Sequence, residues 1–135
     1  MKKVKAFSLL ELLIVIGIIL ILVGAFLIPR FSGIQYRAKY AAAVNNISTL
    51  KLVLENYRLD AGKYPAQTSG LKALVEDAEN VGINWNGPYL DKLPKDPWKN
   101  DYVYSLDQEK GIIKISSLGS DGKPGGTGNN KDIVE

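Results

Sequence analysis

The sequence predicts an α+β fold: one long N-terminal helix, its first half apolar enough to cross a membrane, packed on a small antiparallel β-sheet and followed by a glycine-rich C-terminal loop. Three observations predict it. Residues 7–28 form an apolar stretch whose only charge is Glu11, and its length is close to the ~20 residues that a spanning helix needs. Helical patterning then resumes, with no Pro or Gly in residues 36–59. Farther on, two alternating stretches flank the turn at residues 107–111 and read as paired strands.

The chain opens with Lys2, Lys3 and Lys5 in a six-residue basic leader ending at Ala6. Such lysines hold a leader in the cytoplasm and put the rest of the chain on the other side of the membrane. Glu11 is the anomaly of the apolar stretch, because an ionised acid at the centre of an inserting helix costs about 2.5–3.5 kcal/mol and is functional by default. One reading is a signal anchor whose Glu11 snorkels to the interface. The other is a processed N-terminus: cleavage between Ala6 and Phe7 would create an α-ammonium four residues before Glu11. That spacing suits a salt bridge between one subunit's amine and its neighbour's carboxylate in a bundle of parallel helices.

Within residues 36–59, Ala-rich positions 38–43 favour helix. Val44, Ile47, Leu50, Leu54 and Tyr57 recur at spacings of three or four and form an apolar stripe, with Lys51, Glu55 and Arg58 on other faces. Asp60-Ala61-Gly62 supplies the stop, Gly62 being able to take a left-handed cap. The prediction is one helix over residues 7–59, about 80 Å long at 1.5 Å per residue. Gly24, Pro29 and Gly33 either are tolerated in a membrane helix or mark a segment that loosens when the subunit leaves the membrane.

Residues 68–76 predict a short second helix, capped by Thr68 or Ser69, with Leu71, Leu74 and Val75 buried. Residues 80–100 are irregular, and Trp85, Tyr89 and Trp98 read as core filling beneath loops in preference to a ligand-binding aromatic cage. Residues 102–106 and 112–118 predict the strands. Two or three strands do not stand alone in water, so they should lie against the long helix.

The chain of 135 residues thus divides into a leader (1–6), a membrane segment (7–28) and one domain (29–135). The net charge of +3 is carried by the three leader lysines; without them the balance is zero, and no basic patch argues for nucleic acid. There is no Cys and no His, which excludes disulfides, Ser-His and Cys-His catalysis, and His-containing zinc sites. No phosphate-binding motif is present. The sequence reads as a structural protein, not an enzyme.

The basic leader, the small residue and Phe7-Ser8-Leu9-Leu10-Glu11 before a long aliphatic run resemble the class III signal of type IV pilins and pseudopilins. The resemblance implies a type IV pilin-like fold, cleavage before Phe7 and methylation of the Phe7 amine by a membrane prepilin peptidase, and a role for Glu11 in subunit registry. Where the family usually has Gly before the cut, this chain has Ala6. Tyr64-Pro65, Gly70-Leu71-Lys72-Ala73-Leu74, Trp85-Asn86-Gly87-Pro88-Tyr89-Leu90, Leu93-Pro94-Lys95-Asp96-Pro97-Trp98 and Ser117-Leu118-Gly119-Ser120-Asp121-Gly122 extend the likeness, and are similar to the major pseudopilins of type II secretion systems.

Residues 118–133 could be a floppy tail. Ca²⁺, however, needs six to eight oxygens from a flexible loop, and Asp121, Asn129, Asn130 and Asp132 among glycines meet that need. The loop is not an EF-hand, lacking its spacing and terminal Glu. The resemblance implies one calcium here: Asp121 giving a carboxylate, and Leu118, Asn130 and Ile133 backbone carbonyls. The family often has a second liganding Asp where this chain has Gly128; Asp132, Asn129 or water would fill that place.

By the same resemblance, the subunit would wait in membrane lipid as a single-pass inner-membrane protein with its domain in the periplasm. It would then polymerise with itself, and with minor pseudopilins, on an inner-membrane assembly platform driven by a cytoplasmic ATPase. The filament would push folded proteins across the outer membrane. Two alternatives stand beside this: a subunit of a type IV or DNA-uptake pilus, and a membrane-anchored calcium-binding module that never polymerises.

Overall fold

The computed structural model describes residues 8–135. The leader, Ala6 and Phe7 lie outside the described residues, and so does the cleavage expected there. The chain divides into two compact units, one ending at Arg37 and one spanning Ala38–Glu135.

The first unit belongs to helix α1, Leu9–Ala61. Its start is set by Ser8, whose hydroxyl oxygen accepts the Glu11 backbone N–H at 3.2 Å, while the Ser8 carbonyl accepts the Glu11 and Leu12 amides at 3.1 and 3.2 Å. Ser8 is therefore the N-cap, which accounts for a helix beginning at Leu9. The segment Leu9–Phe26 has a mean hydropathy of 3.0 and none of it is buried within the chain. Helix α1 is unbroken at Gly24, Pro29 and Gly33, so none of the three unwinds it in the single chain. A proline removes one backbone donor and a glycine lowers helix propensity by about 1 kcal/mol, and neither alone obliges a chain to leave the helix.

In the second unit, α1 buries Ala43, Ile47, Leu50, Leu54 and Tyr57. The repeat of four and three residues puts Ala43, in place of the expected Val44, at the centre of the stripe; Val44 packs at its edge. The helix stops where predicted in kind, with Gly62 at φ +79° and its amide bonded to the Arg58 carbonyl at 2.8 Å.

The predicted helix at residues 68–76 is instead a short 3₁₀ helix, Gly70–Leu74. Gly70 takes φ +51°, a left-handed value that interrupts α-helical geometry in the first turn. Ser69 does not cap it; its hydroxyl donates to the Ala66 carbonyl at 3.1 Å and to the Glu79 carboxylate. Leu71, Ala73 and Leu74 are its buried side chains. A second 3₁₀ turn, Gly82–Asn84, follows.

The sheet is antiparallel, in the order β1 (Val103–Asp107), β2 (Ile112–Ser117), β3 (Ile133–Val134). Tyr104 pairs with Ile115, and Ser117 with Ile133. Tyr104, Ile115 and Ile133 point into one core with the α1 stripe, as alternation requires. The third strand comes from the tail that could have been floppy. Trp85 and Tyr89 fill the core margin as expected: the Tyr89 ring meets Tyr57 edge-on at 5.7 Å and Trp85 at 6.0 Å, the Trp85 indole donates to the Ala73 carbonyl at 3.1 Å, and the Tyr89 hydroxyl to Asp60 at 2.8 Å.

Candidate functional site

Two places carry the functional expectations. At the head of α1, Glu11 is exposed in the first helical turn. Ser8-Leu9-Leu10-Glu11 is the Ser-x-x-Glu pattern of a helix start, a signal passed over when the acid is read only as an intruder among apolar residues. A carboxylate in a first turn also meets the positive end of the helix dipole. The structure thus gives Glu11 a favourable local setting and leaves its carboxylate outward-facing.

The second place is the loop where β2 and β3 part. Extending the Ser117–Ile133 register by one step sets Leu118 across from Asp132, and the chain between them is the glycine-rich loop. Two glycines let it close on itself. A Cβ on Gly119 (φ +67°) would lie 3.0 Å from the Lys131 carbonyl oxygen, and one on Gly126 (φ +91°) would overlap the Asn130 carbonyl oxygen. Asp121 is exposed, one carboxylate oxygen accepting the Lys123 amide at 3.1 Å. The Asn130 side chain is engaged, its Oδ1 accepting the Ser120 hydroxyl, so its backbone carbonyl is what it can offer a cation. Ile133 is buried in β3.

Asp132 decides whether the loop fits a cation. Its Oδ2 accepts the Gly125 amide at 2.8 Å, while its Oδ1 is buried with no hydrogen-bond partner. A buried charged oxygen left unpaired is costly, and a bound ion is one way such an atom is satisfied. Among the described residues no three acidic side chains gather to hold a metal, so an ion here would add backbone carbonyl, amide or water oxygens to its carboxylates. Those are hard oxygens on a glycine-rich loop, the donor set that suits Ca²⁺. The residues fit.

The loop rests on a neighbour that the sequence reasoning missed. Asp96 is 3% exposed and Ser117 wholly buried. One Asp96 oxygen accepts the Trp98 and Asn100 amides at 2.9 and 2.8 Å, and the other accepts the Ser117 hydroxyl at 2.6 Å. The Asn100 side-chain amide donates to the Gly119 carbonyl at 2.9 Å. A signal was present in Asp96-Pro97, a dipeptide that favours turn initiation.

A long helix with an apolar exposed first stretch, carrying a small antiparallel sheet on its second, is the architecture of a pilin-like protein. Comparison with known proteins narrows it. The model of the family described as "Type II secretion system (T2SS), protein G" matches residues 30–135, and that of the "Prokaryotic N-terminal methylation motif" matches residues 1–27. The type II secretion system core protein G of Vibrio cholerae is 40% identical over 98% of this chain and 92% of its own length; that of Pseudomonas aeruginosa is 37% identical over 98% and 94%. The crystal structure of the major pseudopilin from the type 2 secretion system of enterohaemorrhagic Escherichia coli superposes with a TM-score of 0.63 at 32% identity, covering 76% of this chain and 90% of that one. The chain belongs to the type II secretion system protein G family.

Proposed function

We propose that this chain is the major structural subunit of a periplasmic pseudopilus, held in the inner membrane by a single pass until it polymerises, and that its role is mechanical and not enzymatic. The observation that carries the reading is Leu9–Phe26, helical, strongly apolar and nowhere buried within the chain, ahead of a domain of the protein G family. Such a stretch needs lipid, or identical helices, around it. Processing at Ala6–Phe7 and methylation of Phe7 are supported by the methylation-motif match. Ala6 is small like the usual Gly. Prepilin peptidase, minor pseudopilins and the inner-membrane platform are the partners this assembly requires.

We also propose that the loop following β2 binds one Ca²⁺, drawing on the Asp121 carboxylate, on backbone carbonyls of Leu118, Asn130 and Ile133, and on Asp132. The buried unpaired Oδ1 of Asp132 supports this. The ion would supply the cross-link that a chain without cysteine lacks.

Mass spectrometry of the membrane-extracted protein tests the assembly reading at its first step. The expected product lacks residues 1–6 and carries one methyl on Phe7. Electron microscopy of cells overexpressing the chain with its secretion genes should then show filaments containing it. An intact leader together with absence of filaments would leave a non-polymerising membrane-anchored module.

A further inference from the structure

We infer that the outer edge of β1 is a strand-pairing surface for a second copy of this chain, and that the Gln67 side chain keeps it closed. β1 is the outer strand on one side of the sheet. Its Tyr104 lies opposite Ile115, whose amide donates to Glu135 and whose carbonyl accepts from Glu135, both at 3.3 Å. The Tyr104 backbone therefore faces away from β2, and by the alternation of an antiparallel ladder so does that of Leu106. Gln67 covers these groups. Its Nε2 donates to the Tyr104 carbonyl at 2.9 Å, and its Oε1 accepts the Leu106 amide at 2.9 Å. One side-chain amide thus satisfies an acceptor and a donor as a neighbouring strand would.

A second β1 is the occupant that fits, because the edge is complementary to itself. In an antiparallel pair of β1 strands centred on Ser105, the Tyr104 carbonyl of each copy accepts the Leu106 amide of the other. Those are the two groups that Gln67 holds. Open strand edges invite such addition, and on either side of this one the chain closes upon itself. Asp101 is bridged to Lys95 just before β1, with an ion pair at 2.6 Å. Just after it, the Asp107 carboxylate accepts the Glu109 and Lys110 amides at 3.1 Å. Gln67 is exposed, whereas the Tyr104 side chain is anchored inward, its hydroxyl donating to the Pro65 carbonyl at 2.8 Å. Replacing Gln67 therefore opens the edge without removing a core side chain. The latch would let copies crowded by their apolar helices associate without fusing their sheets.

The chain has no cysteine, so single introduced thiols report the pairing. In the β1–β1 pair the two Ser105 residues form a non-hydrogen-bonded pair with Cα atoms about 4.5 Å apart, within disulfide reach. Lys114 is also exposed and lies opposite Ser105 on β2. It would be three strand spacings from its mate, about 14 Å, and out of reach. The full chain in detergent is oxidised with copper phenanthroline as Ser105→Cys and as Lys114→Cys, each with and without Gln67→Ala. Gln67→Ala should raise the Ser105→Cys dimer about fivefold or more and leave Lys114→Cys unchanged. An unraised Ser105→Cys dimer, or equal increases at both positions, would overturn the inference. Melting curves report whether Gln67→Ala folds; should it not, hydrogen exchange of the wild type decides. The Leu106 amide should then exchange about tenfold or more slowly than in an open chain, and free exchange overturns the inference.

Discussion

The buried carboxylate of Asp96 and the buried hydroxyl of Ser117 face each other at 2.6 Å, joining the turn at residues 96–100 to the last residue of β2. The other bonds that the Asp96 carboxylate accepts among the described residues come from the Trp98 and Asn100 backbone amides of that turn. The pair therefore holds the floor on which the C-terminal loop is built.

Ser117→Ala removes the one side-chain donor to Asp96 among the described residues and leaves a buried carboxylate oxygen short of a partner, a loss of about 1–3 kcal/mol. For a unit of this size that lowers the melting temperature by roughly 5–20 °C. Circular dichroism melting of the domain checks it. A shift below about 2 °C would mean that Asp96 is satisfied by its amides alone.

Glu79 predicts a particular acid response. Burial acts to raise its pKa, but hydrogen bonds from Ser69 and the Ala66 amide, and the charge of Lys63 at 3.7 Å, outweigh it and hold the carboxyl below its ordinary value of 4.5. A group depressed in the folded state contributes stability that is present above its unfolded pKa and lost as pH falls through the folded one. Urea denaturation should show stability declining as pH falls from about 5 towards 3, and Glu79→Gln should be less stable at neutral pH with a shallower decline. Glu55, held at about 2 by the Arg58 guanidinium and the Tyr64 hydroxyl, acts in the same direction, so some slope will survive. A Glu79→Gln curve parallel to the wild type would refute the argument.

Ser8 and Glu11 separate local from intermolecular roles at the head of α1. Ser8→Ala removes a helix cap worth about 1 kcal/mol but leaves the carboxylate. Glu11→Ala makes the segment more apolar, so insertion is expected to be normal. If Glu11 acts by pairing with a neighbour's Phe7 amine, Glu11→Ala abolishes filaments and secretion while Ser8→Ala keeps most of both. Equal defects in the two variants would reassign Glu11 to the capping of its own helix.

Calcium should raise the melting temperature. A ligand binding only the folded state at a hundredfold excess over Kd adds about 2.7 kcal/mol, or roughly 10 °C or more for about 100 residues. Asp121→Ala should remove most of that shift. Superimposable curves in calcium and in EGTA would leave the loop as glycine-rich backbone held by β3 and by hydrogen bonds alone.

The long helix, its buried stripe and the β1–β2 hairpin were legible because each rests on a local period: Ile47, Leu50, Leu54 and Tyr57 on one, Tyr104 and Ile115 on the other. The short helix was misread because one left-handed glycine, Gly70, outweighs the apolar spacing of Leu71 and Leu74, and glycine does not announce its φ. β3 was hidden because two residues carry no alternation to detect; Ile133 becomes a strand only through β2. For the loop, Asp121 and Asp132 could be named from residue type. Which oxygen lacks a partner depends on where the Gly125 amide falls, and that is a tertiary fact.

The exposed flank of Leu9–Phe26 has a bearing on how a polymer could grow. It presents Leu9, Leu10, Leu12, Leu13, Ile14, Val15, Ile16, Ile18, Ile19, Leu20, Ile21, Leu22, Val23 and Phe26 to the surroundings. At about 1.5–3 kcal/mol for each side chain wetted, a free passage through water would cost some tens of kcal/mol. A subunit leaving the bilayer for a filament must therefore be handed over sideways, from acyl chains straight onto neighbouring helices. On the proposed reading, growth would then be confined to the end that touches the membrane, and a detached subunit would have no route back to the shaft.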